Sequence, residues 1–262
     1  MSVDPQQSKM MSCLAITDPF LRAVRTITTT NELTTLMEAV SREMGWRHYA
    51  LIHHDDLRVA RPDRVDLKDY PAAIADRLIG QRRFRRDPII RGCIFADSAF
   101  LWSDLHRLIH LDRQDRESFE LGAREGLNEG ITVPYTRLGD CMGSCTFAGM
   151  QRPQNAGRYL GPAQMIGIFA FQAARRLLSG PGAGPVSNPR LHPRPRDCVV
   201  LAGRGYSNKE IARALALTPR TVDGYLTEAR RLFDAHDRTE LVVSAVLAGE
   251  IDLSELRRRQ PE

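Results

Sequence analysis

The sequence lacks the features that mark membrane and secreted proteins. No apolar run among its 262 residues approaches the roughly 20 residues that a membrane helix needs. The polar N-terminus, MSVDPQQSKMM, has no signal-peptide core. The five cysteines show no paired spacing, which favours free thiols in a reducing compartment over a disulfide framework. We therefore expect a cytoplasmic protein without membrane association.

The sequence also lacks the common catalytic and metal-binding patterns. It contains no P-loop, no Gly-rich dinucleotide fingerprint and no Ser-His-Asp order. His106 and His110 lie one turn apart on a helix predicted to run from Ser103 to His110, but no further ligand is paired with them, so we expect no metal site. Cys141 and Cys145 share one face of a predicted strand, and buried free thiols are the favoured interpretation. We expect neither an enzyme nor a cofactor.

Composition indicates a globular chain long enough for two domains. Hydrophobic residues make up 42% and charged residues 26% of the sequence. The net charge of +5 is mild. Over residues 191–262, 12 basic residues stand against 11 acidic ones. Any argument for nucleic-acid binding therefore depends on where the basic residues lie rather than on the net charge of the domain.

Periodicity over the first 178 residues predicts an antiparallel sheet between helical layers, an α+β domain. Asp18-Pro19 opens a first helix, and Asn31 is predicted to cap the second. A Gly-, Pro- and Ser-rich linker follows at residues 179–190. The other predicted elements are a strand at 49–52, a loop at 55–68, helices at 72–82, 114–126 and 157–178, and a hairpin of 130–135 and 141–150 that turns at Gly139-Asp140.

The stretch from Tyr206 to Phe233 reads as two helices joined by a tight turn. Ser207 and Glu210 have the form of a capping box. Thr218 can cap the second helix, with Pro219 at its first position. An apolar stripe on that helix is formed by Val222, Leu226, Ala229 and Leu232. The opposite face carries Arg220, Thr221, Asp223, Tyr225, Thr227, Arg230 and Arg231.

Two such helices are typical of a helix-turn-helix, whose second helix enters the major groove of DNA. Donors and charges on its outer face are the groups that base edges and phosphates need. Two capped amphipathic helices also occur in ordinary helical bundles, so the pattern alone leaves both interpretations open.

Residues 191–247 resemble the C-terminal DNA-binding domain of the LuxR family of transcription regulators. The resemblance implies an all-α, four-helix helix-turn-helix domain over residues 191–250. Pro195 stands where the family usually has an acidic residue, Asp223 where it has a basic or polar one, and Tyr225 where it has His. The matching residues are Leu191, Pro193, Arg194, Val199, Leu201, Gly205, Ser207, Lys209, Glu210, Ile211, Ala212, Leu215, Thr221, Val222, Leu232, Arg238 and Ala245.

Four short motifs in the first domain resemble the acyl-homoserine-lactone-binding domain of LuxR-type quorum-sensing receptors. They are Tyr70-Pro71, Asp87-Pro88-Ile89, Phe100-Leu101-Trp102 and Gly130-Ile131-Thr132-Val133-Pro134. The resemblance covers residues 16–178. It implies an α/β/α sandwich with an antiparallel sheet, in which the ligand lies between the sheet and one helical layer.

The resemblance also implies roles for single residues. Asp87 would accept a hydrogen bond from a ligand amide N–H, Tyr70 and Thr146 would bind carbonyls, and Trp102 would pack against the head group. By themselves, Asp87-Pro88 would indicate a helix-breaking turn and a lone Trp102 a core residue.

Two positions depart from the family pattern in ways that concern the ligand. Ile74 stands where the family has a Trp that donates to the lactone carbonyl, and Leu78 where it has a Tyr. A buried carbonyl without its donor costs about 1–3 kcal/mol, roughly 5- to 150-fold in affinity. We therefore expect ordinary homoserine lactones to bind poorly and a different small molecule to be favoured.

We interpret the chain as a ligand-responsive, sequence-specific transcription regulator that acts as a homodimer. Its expected partners are an inverted-repeat site on double-stranded DNA, a small-molecule signal and RNA polymerase. Two alternatives stay open: a ligand-independent dimeric regulator with a degenerate sensor domain, and an enzyme that acts on an acyl amide with Asp87 as base. The residues expected to contact DNA are Ser207, Lys209, Arg220, Thr221, Tyr225 and Arg230.

Overall fold

The computed structural model describes residues 15–54, 64–80, 86–137, 141–178 and 189–257, with only the backbone course for 77–80. These residues form two compact units. Residues 15–136 and 141–178 make up the first, and residues 189–257 the second. The turn predicted at Gly139-Asp140 lies outside the described residues, as does nearly all of the predicted linker.

The first unit combines six α-helices with five strands among its described residues. In chain order they are α1 (Thr17–Thr26), α2 (Thr30–Glu43), β1 (Trp46–His53), β2 (Asp66–Lys68), α3 (Ala72–Gly80), α4 (Pro88–Phe95), β3 (Phe100–Leu101), α5 (Arg113–Arg124), β4 (Gly130–Tyr135), β5 (Gly143–Met150) and α6 (Leu160–Leu178). Two 3₁₀ helices, Trp102–Arg107 and Pro153–Tyr159, precede α5 and α6.

The strands form one antiparallel sheet in the order β2-β1-β5-β4-β3. The predicted hairpin is present, because β4 pairs with β5 from Gly130 opposite Ala148 to Tyr135 opposite Gly143. On the other side of β5, Ala50 of β1 lies opposite Thr146. This α+β arrangement of one sheet with helices confirms the predicted fold class.

Alternation along the strands separates the two faces of the sheet. Alternate side chains such as Leu51, Val133 and Phe147 point into the main core, where α2 and α6 cover the sheet and α1 packs against those two helices. The intervening residues, among them Thr132 and Thr146, point to the opposite face. That second face carries the cavity described below.

Several local predictions were wrong in ways that have a physical reason. Thr29, and not Asn31, caps α2, because the Thr29 hydroxyl and the Glu32 carboxylate form a reciprocal capping box. Part of the predicted loop 55–68 is strand β2, which pairs with β1. Ser103 does not cap a helix to His110, because the turn is a 3₁₀ helix that begins at Trp102 and ends at Arg107.

The predicted second strand of the hairpin begins too early. Cys141 lies before β5 and is half-buried, so it does not share a strand face with Cys145. Cys145 is a buried free thiol, and its burial raises its pKa above the ordinary range. Cys93 and Cys198 are likewise buried free thiols.

The second unit is all-helical, as predicted. It contains α7 (Pro193–Gly203), α8 (Asn208–Leu215), α9 (Pro219–Leu232), α10 (Arg238–Leu247) and the short α11 (Leu253–Leu256). Ser207 caps α8 in a capping box with Glu210, and Thr218 caps α9 by accepting from the Thr221 backbone N–H. Both caps confirm the sequence prediction.

The core of the second unit gathers the apolar faces of these helices. Ile211 of α8 and Val222 and Ala229 of α9 are fully buried. Leu232 does not belong to the buried stripe, because 44% of it is exposed at the last turn of α9. Arg238 joins α10 to the start of α8, donating to Asn208 Oδ1 over 2.9 Å and to the Tyr206 carbonyl. Across the described ranges, no helix is long and apolar enough to cross a bilayer.

Candidate functional sites: a sheet-face cavity and a helix-turn-helix surface

A cavity lies on the second face of the sheet, beneath the segment from α3 to α5. Its walls are mainly apolar, with polar groups at a few points, which is the composition of a small-molecule site. The lining residues are Ala50, Ile52, His54, Tyr70, Ile74, Asp87, Pro88, Ile89, Ile90, Trp102, Ser118, Phe119, Gly122, Leu127, Ser144 and Thr146.

Three polar side chains form a hydrogen-bonded row in and beside this cavity, with the Tyr70 phenol close to its end, and we call these four groups the hydroxyl row. Trp102 Nε1–H donates to Thr132 Oγ1 over 3.0 Å. Thr132 Oγ1 lies 3.0 Å from Thr146 Oγ1. The Thr146 hydroxyl in turn lies near the Tyr70 phenol. The structure thus brings together Tyr70, Trp102 and Thr146, three of the predicted site residues, through Thr132.

Trp102 is held by close packing as well as by its hydrogen bond. Its indole lies directly over Gly130, where an added Cβ would come within 2.4 Å of the ring. Only glycine leaves room for the ring at this point in β4. Gly130 therefore fixes the position of Trp102 at one end of the cavity.

Asp87 lies in the cavity wall and also organises the local backbone. Its Oδ1 accepts from the backbone N–H groups of Ile89 and Ile90, over 2.9 and 3.1 Å. Asp87 is therefore the N-cap of α4, with Pro88 at the first position, and the pair starts a helix instead of only breaking one.

The charge of Asp87 reaches other groups of the site. Burial raises the pKa of Tyr70 above the ordinary range of a phenol, and the nearby Asp87 carboxylate raises it further. The same two causes raise the pKa of the Cys93 thiol. Tyr70 and Cys93 are therefore protonated at physiological pH, and the Tyr70 phenol retains its proton as a hydrogen-bond donor.

Ile74 is buried and lines the cavity, at the position where the family pattern has a donor. It packs with Leu127, Ala148, Tyr70 and Trp102 in a small apolar cluster. The side chain of Leu78 lies outside the described residues. At position 74, therefore, the wall offers hydrocarbon and no hydrogen bond.

Two cavity residues were not anticipated from the sequence. His54 follows β1, and its Nε2 lies 2.9 Å from Ser144 Oγ on β5. Burial lowers the pKa of His54 to about 4, and the neighbouring His53 adds to the effect. The imidazole is therefore neutral at physiological pH. Only the register of β1 against β5 places His54 beside Ser144.

Thr132 was part of a quoted motif but had no assigned role. It is fully buried and links Trp102 to Thr146. The sequence did contain a signal for this position. Thr132 lies between Ile131 and Val133 in a predicted strand, so alternation places its hydroxyl on the sheet face opposite the core.

The second candidate site is the outer surface of the helix-turn-helix. Lys209 on α8 and Arg220 on α9 are exposed. Thr221 is partly buried, and its hydroxyl lies 2.8 Å from the capping Thr218 hydroxyl. Arg230 donates to Thr227 Oγ1 over 3.0 Å.

Other predicted DNA-contact residues have structural roles. The Ser207 hydroxyl caps α8. Tyr225 is half-buried and packs against the core of the unit, so only part of its ring faces outward. Asn208 donates to Asp223 Oδ1 over 3.3 Å, which joins the two helices of the motif.

Gly224 is an unusual residue for the middle of α9. It is exposed, and an added Cβ would meet nothing within 4 Å. A glycine in a helix interior costs roughly 0.5–1 kcal/mol relative to alanine. Packing within the described part of the second unit does not require this glycine.

His106 and His110 do not lie on one helix. His106 Nδ1 bonds the Ser103 carbonyl over 2.8 Å. Within the described ranges, no group of three or more His, Cys, Asp or Glu residues is arranged to hold a metal ion.

Comparisons with known proteins match both units. Residues 29–174 match the family description "Autoinducer binding domain". Residues 190–245 match "Bacterial regulatory proteins, luxR family". Together the two matches cover most of the chain.

Curated relatives and solved structures agree with these matches. The chain is 27% identical over 216 residues to the quorum sensing-dependent transcriptional regulator RpaR of Rhodopseudomonas palustris, covering 82% of this chain and 87% of RpaR. It is 20% identical to the transcriptional activator AnoR of Acinetobacter nosocomialis, covering 88% and 97%.

The fold is similar to that of Escherichia coli SdiA, with a TM-score of 0.61 at 18% identity over 90% of this chain and 98% of SdiA. A second SdiA structure, in complex with octanoyl-rac-glycerol, gives 0.58 at 17% identity, over 95% and 97%. The sheet-face cavity, the capped helix-turn-helix and these matches establish that the chain belongs to the LuxR family of quorum-sensing transcription regulators, with an autoinducer-binding domain followed by a DNA-binding helix-turn-helix.

Proposed function

We propose that this regulator senses an uncharged, amide-containing acyl or aryl compound in the sheet-face cavity, and that occupancy controls binding of a homodimer to DNA. The observation that carries the proposal is the hydroxyl row ending in the cavity near a carboxylate, within otherwise apolar walls. Donors beside an acceptor suit a group that contains both a carbonyl and an N–H.

Each polar group has a role in such binding. Asp87 accepts from the ligand N–H, and the N–H groups of Ile89 and Ile90 hold its carboxylate in place. Tyr70 and Thr146 donate to ligand carbonyls. Trp102, fixed over Gly130, packs against the head group. These groups are preorganised, so the ligand does not have to order them on binding.

Ile74 determines what the site disfavours. A lactone carbonyl placed against Ile74 would be buried without a donor from that side chain, at a cost of about 1–3 kcal/mol. We therefore propose a signal other than an ordinary acyl-homoserine lactone. The LuxR-type fold is compatible with a non-lactone amphiphile, because SdiA holds octanoyl-rac-glycerol.

The same observation favours the second candidate function. A cavity without the donor at position 74 is also what a ligand-independent regulator with a degenerate sensor domain would have. In that case the first unit would serve only for dimerisation. The two proposals differ in whether any compound stabilises the first unit.

The deciding experiment is a thermal-shift series with acyl amides, acyl-homoserine lactones and host extract. A ligand that binds only the folded state stabilises it by about 2.7 kcal/mol at a hundredfold excess over Kd. Asp87→Asn retains an oxygen to cap α4 while removing the charge, so a loss of ligand response can be separated from misfolding. We expect this variant and Trp102→Phe to respond less than wild type.

The double substitution Ile74→Trp with Leu78→Tyr should improve the response to lactones if the larger rings fit without overpacking. Strong stabilisation of the wild type by an ordinary lactone would contradict the role given to Ile74. If no lactone, amide or extract stabilises the protein, and ligand-free protein binds DNA fully, the ligand-independent function is correct.

We further propose how the second unit uses its surface. Arg220, Thr221 and the exposed part of Tyr225 read bases, while Lys209 and Arg230 contact phosphates. A twofold dimer would bind an inverted repeat in a promoter and contact RNA polymerase there. Apolar side chains that α6 and α10 expose would form the dimer surfaces, namely Met165, Val243 and Leu247.

A further inference from the structure

The cavity has a second polar position that the amide site does not use. His54 and Ser144 both line it, and they are joined by a hydrogen bond of 2.9 Å between Nε2 and Oγ. The Cys93 thiol lies near the Ser144 hydroxyl. We call His54 and Ser144 the distal polar pair.

The sheet register fixes where this pair lies. Ser144 precedes Thr146 by two residues on the same face of β5, which corresponds to a spacing of roughly 7 Å. On β1, Ile52 pairs with Ser144, and Ala50 pairs with Thr146. The distal polar pair therefore lies beyond the hydroxyl row along the strands, away from Trp102 and Gly130.

The His54 ring has unused hydrogen-bonding capacity. Its Nδ1 is buried and has no hydrogen-bond partner among the described residues. A buried polar atom left in this state costs about 1–3 kcal/mol. Since burial keeps the ring neutral, one ring nitrogen is a donor and the other an acceptor. An apolar ligand tail beside the distal polar pair would add no hydrogen bond there, whereas a polar group can pair with the His54 ring or the Ser144 hydroxyl.

We infer that the distal polar pair is a subsite for an uncharged hydroxyl group on the acyl or aryl part of the ligand, roughly 7 Å from the carbonyl held at Thr146. A hydroxyl both donates and accepts, so it can pair with the His54 ring or the Ser144 hydroxyl whichever tautomer His54 adopts. A charged group is disfavoured there, because the surrounding walls are the apolar side chains of Ile52, Ile89 and Ile90. This inference rests on the proposed sensor function.

The test compares two acyl groups, N-hexanoyl and N-(6-hydroxyhexanoyl), which differ only in the terminal hydroxyl. Each acyl group is attached to a homoserine lactone head and, separately, to a glycinamide head, so that every head group has a matched pair of probes. Binding to the full chain is followed by thermal shift and by titration. For wild type we expect the hydroxylated probe to bind about 3- to 10-fold more tightly than its partner. Tighter binding of the unsubstituted probe would overturn the subsite.

The variant His54→Leu with Ser144→Ala should reverse the preference. Ser144→Ala alone, which barely changes the wall volume, should reduce it and serves if the double variant does not fold. Ile52→Val is the matched control, because it trims the same strand face without removing a polar atom and should affect both probes alike. An unchanged preference in the polar-pair variants would show that the hydroxyl binds elsewhere.

The two levels of the proposal fail differently. If neither hexanoyl probe binds but another amide of the panel does, the distal subsite is wrong and the sensor function stands. If every amide, lactone and extract fails to stabilise the protein, both are wrong.

Discussion

The depressed pKa of His54 predicts an acid-sensitive first unit. The pKa is about 4 in the folded protein, because burial disfavours the charged ring, against an ordinary value of about 6.5 in an unfolded chain. Between these values the unfolded chain binds a proton at this residue and the folded protein does not. The free energy of unfolding therefore rises with pH through this window and falls as the solution is acidified.

The magnitude follows from the two pKa values. One pKa unit corresponds to 1.36 kcal/mol, so the full difference is about 3 kcal/mol and is reached below pH 4. At pH 5 the contribution of His54 should already lower the free energy of unfolding by about 2 kcal/mol relative to pH 7.5. His54→Gln can keep a hydrogen bond to Ser144 but cannot titrate, so it should lose this part of the pH dependence.

The assay can be confined to the first unit. The chain has two tryptophans, Trp46 and Trp102, and both lie in that unit. Urea unfolding followed by tryptophan fluorescence, at about pH 5 and about pH 7.5, therefore reports on the unit that contains His54. The quantity compared is the change in unfolding free energy between the two pH values. Equal changes in wild type and His54→Gln would refute the reasoning.

Three other predictions concern the hydroxyl row, the proposed DNA contacts and the spacing of the DNA half-sites. Thr132→Val should remove the central hydroxyl of the hydroxyl row and leave the Trp102 indole N–H without a partner. The free energy of unfolding of the first unit should fall by about 1–3 kcal/mol in the same urea assay. An unchanged free energy of unfolding would mean that water replaces the hydroxyl. Arg220→Ala should relax preference at one position of the DNA site, whereas Lys209→Ala should weaken all sequences alike and reduce the salt slope by about 1, and footprinting with salt titration separates the two. Inserting about five base pairs between half-sites should abolish tight binding in gel-shift assays; unchanged affinity would indicate binding as a monomer.

Local signals predicted the second unit well. Ser207, Glu210, Thr218 and Pro219 act within one turn of chain, so their side chains could be assigned to helix starts from spacing alone. The exposed Leu232 was beyond such reasoning, because helical spacing gives a face but not the point at which neighbouring helices cease to cover it.

The first unit was predicted less completely, for reasons that differ by element. At α2, Thr29 and Asn31 are both competent caps, and the choice depends on the reach of Glu32. Strand β2 is short and polar, and it exists because β1 offers an edge to pair with.

In the candidate site, too, some residues could be predicted from the sequence and others depend on the tertiary fold. The resemblance pointed to Tyr70, Trp102 and Thr146, which the fold brings together. His54 and Ser144, 90 residues apart, meet only through the register of β1 and β5. No pattern of neighbouring residues encodes that meeting.

Gly224 lies on α9, the helix proposed to read DNA, and its open surroundings make it a position at which that proposal can be tested. Because no atom lies within 4 Å of where its side chain would begin, the free protein has space for a range of replacements, and most of them would improve the helix. A library at position 224 would therefore vary the outer surface of α9 while most of its members keep the fold. Differences in promoter choice among its members would report contacts with DNA, separated from the loss of stability that usually confounds such libraries.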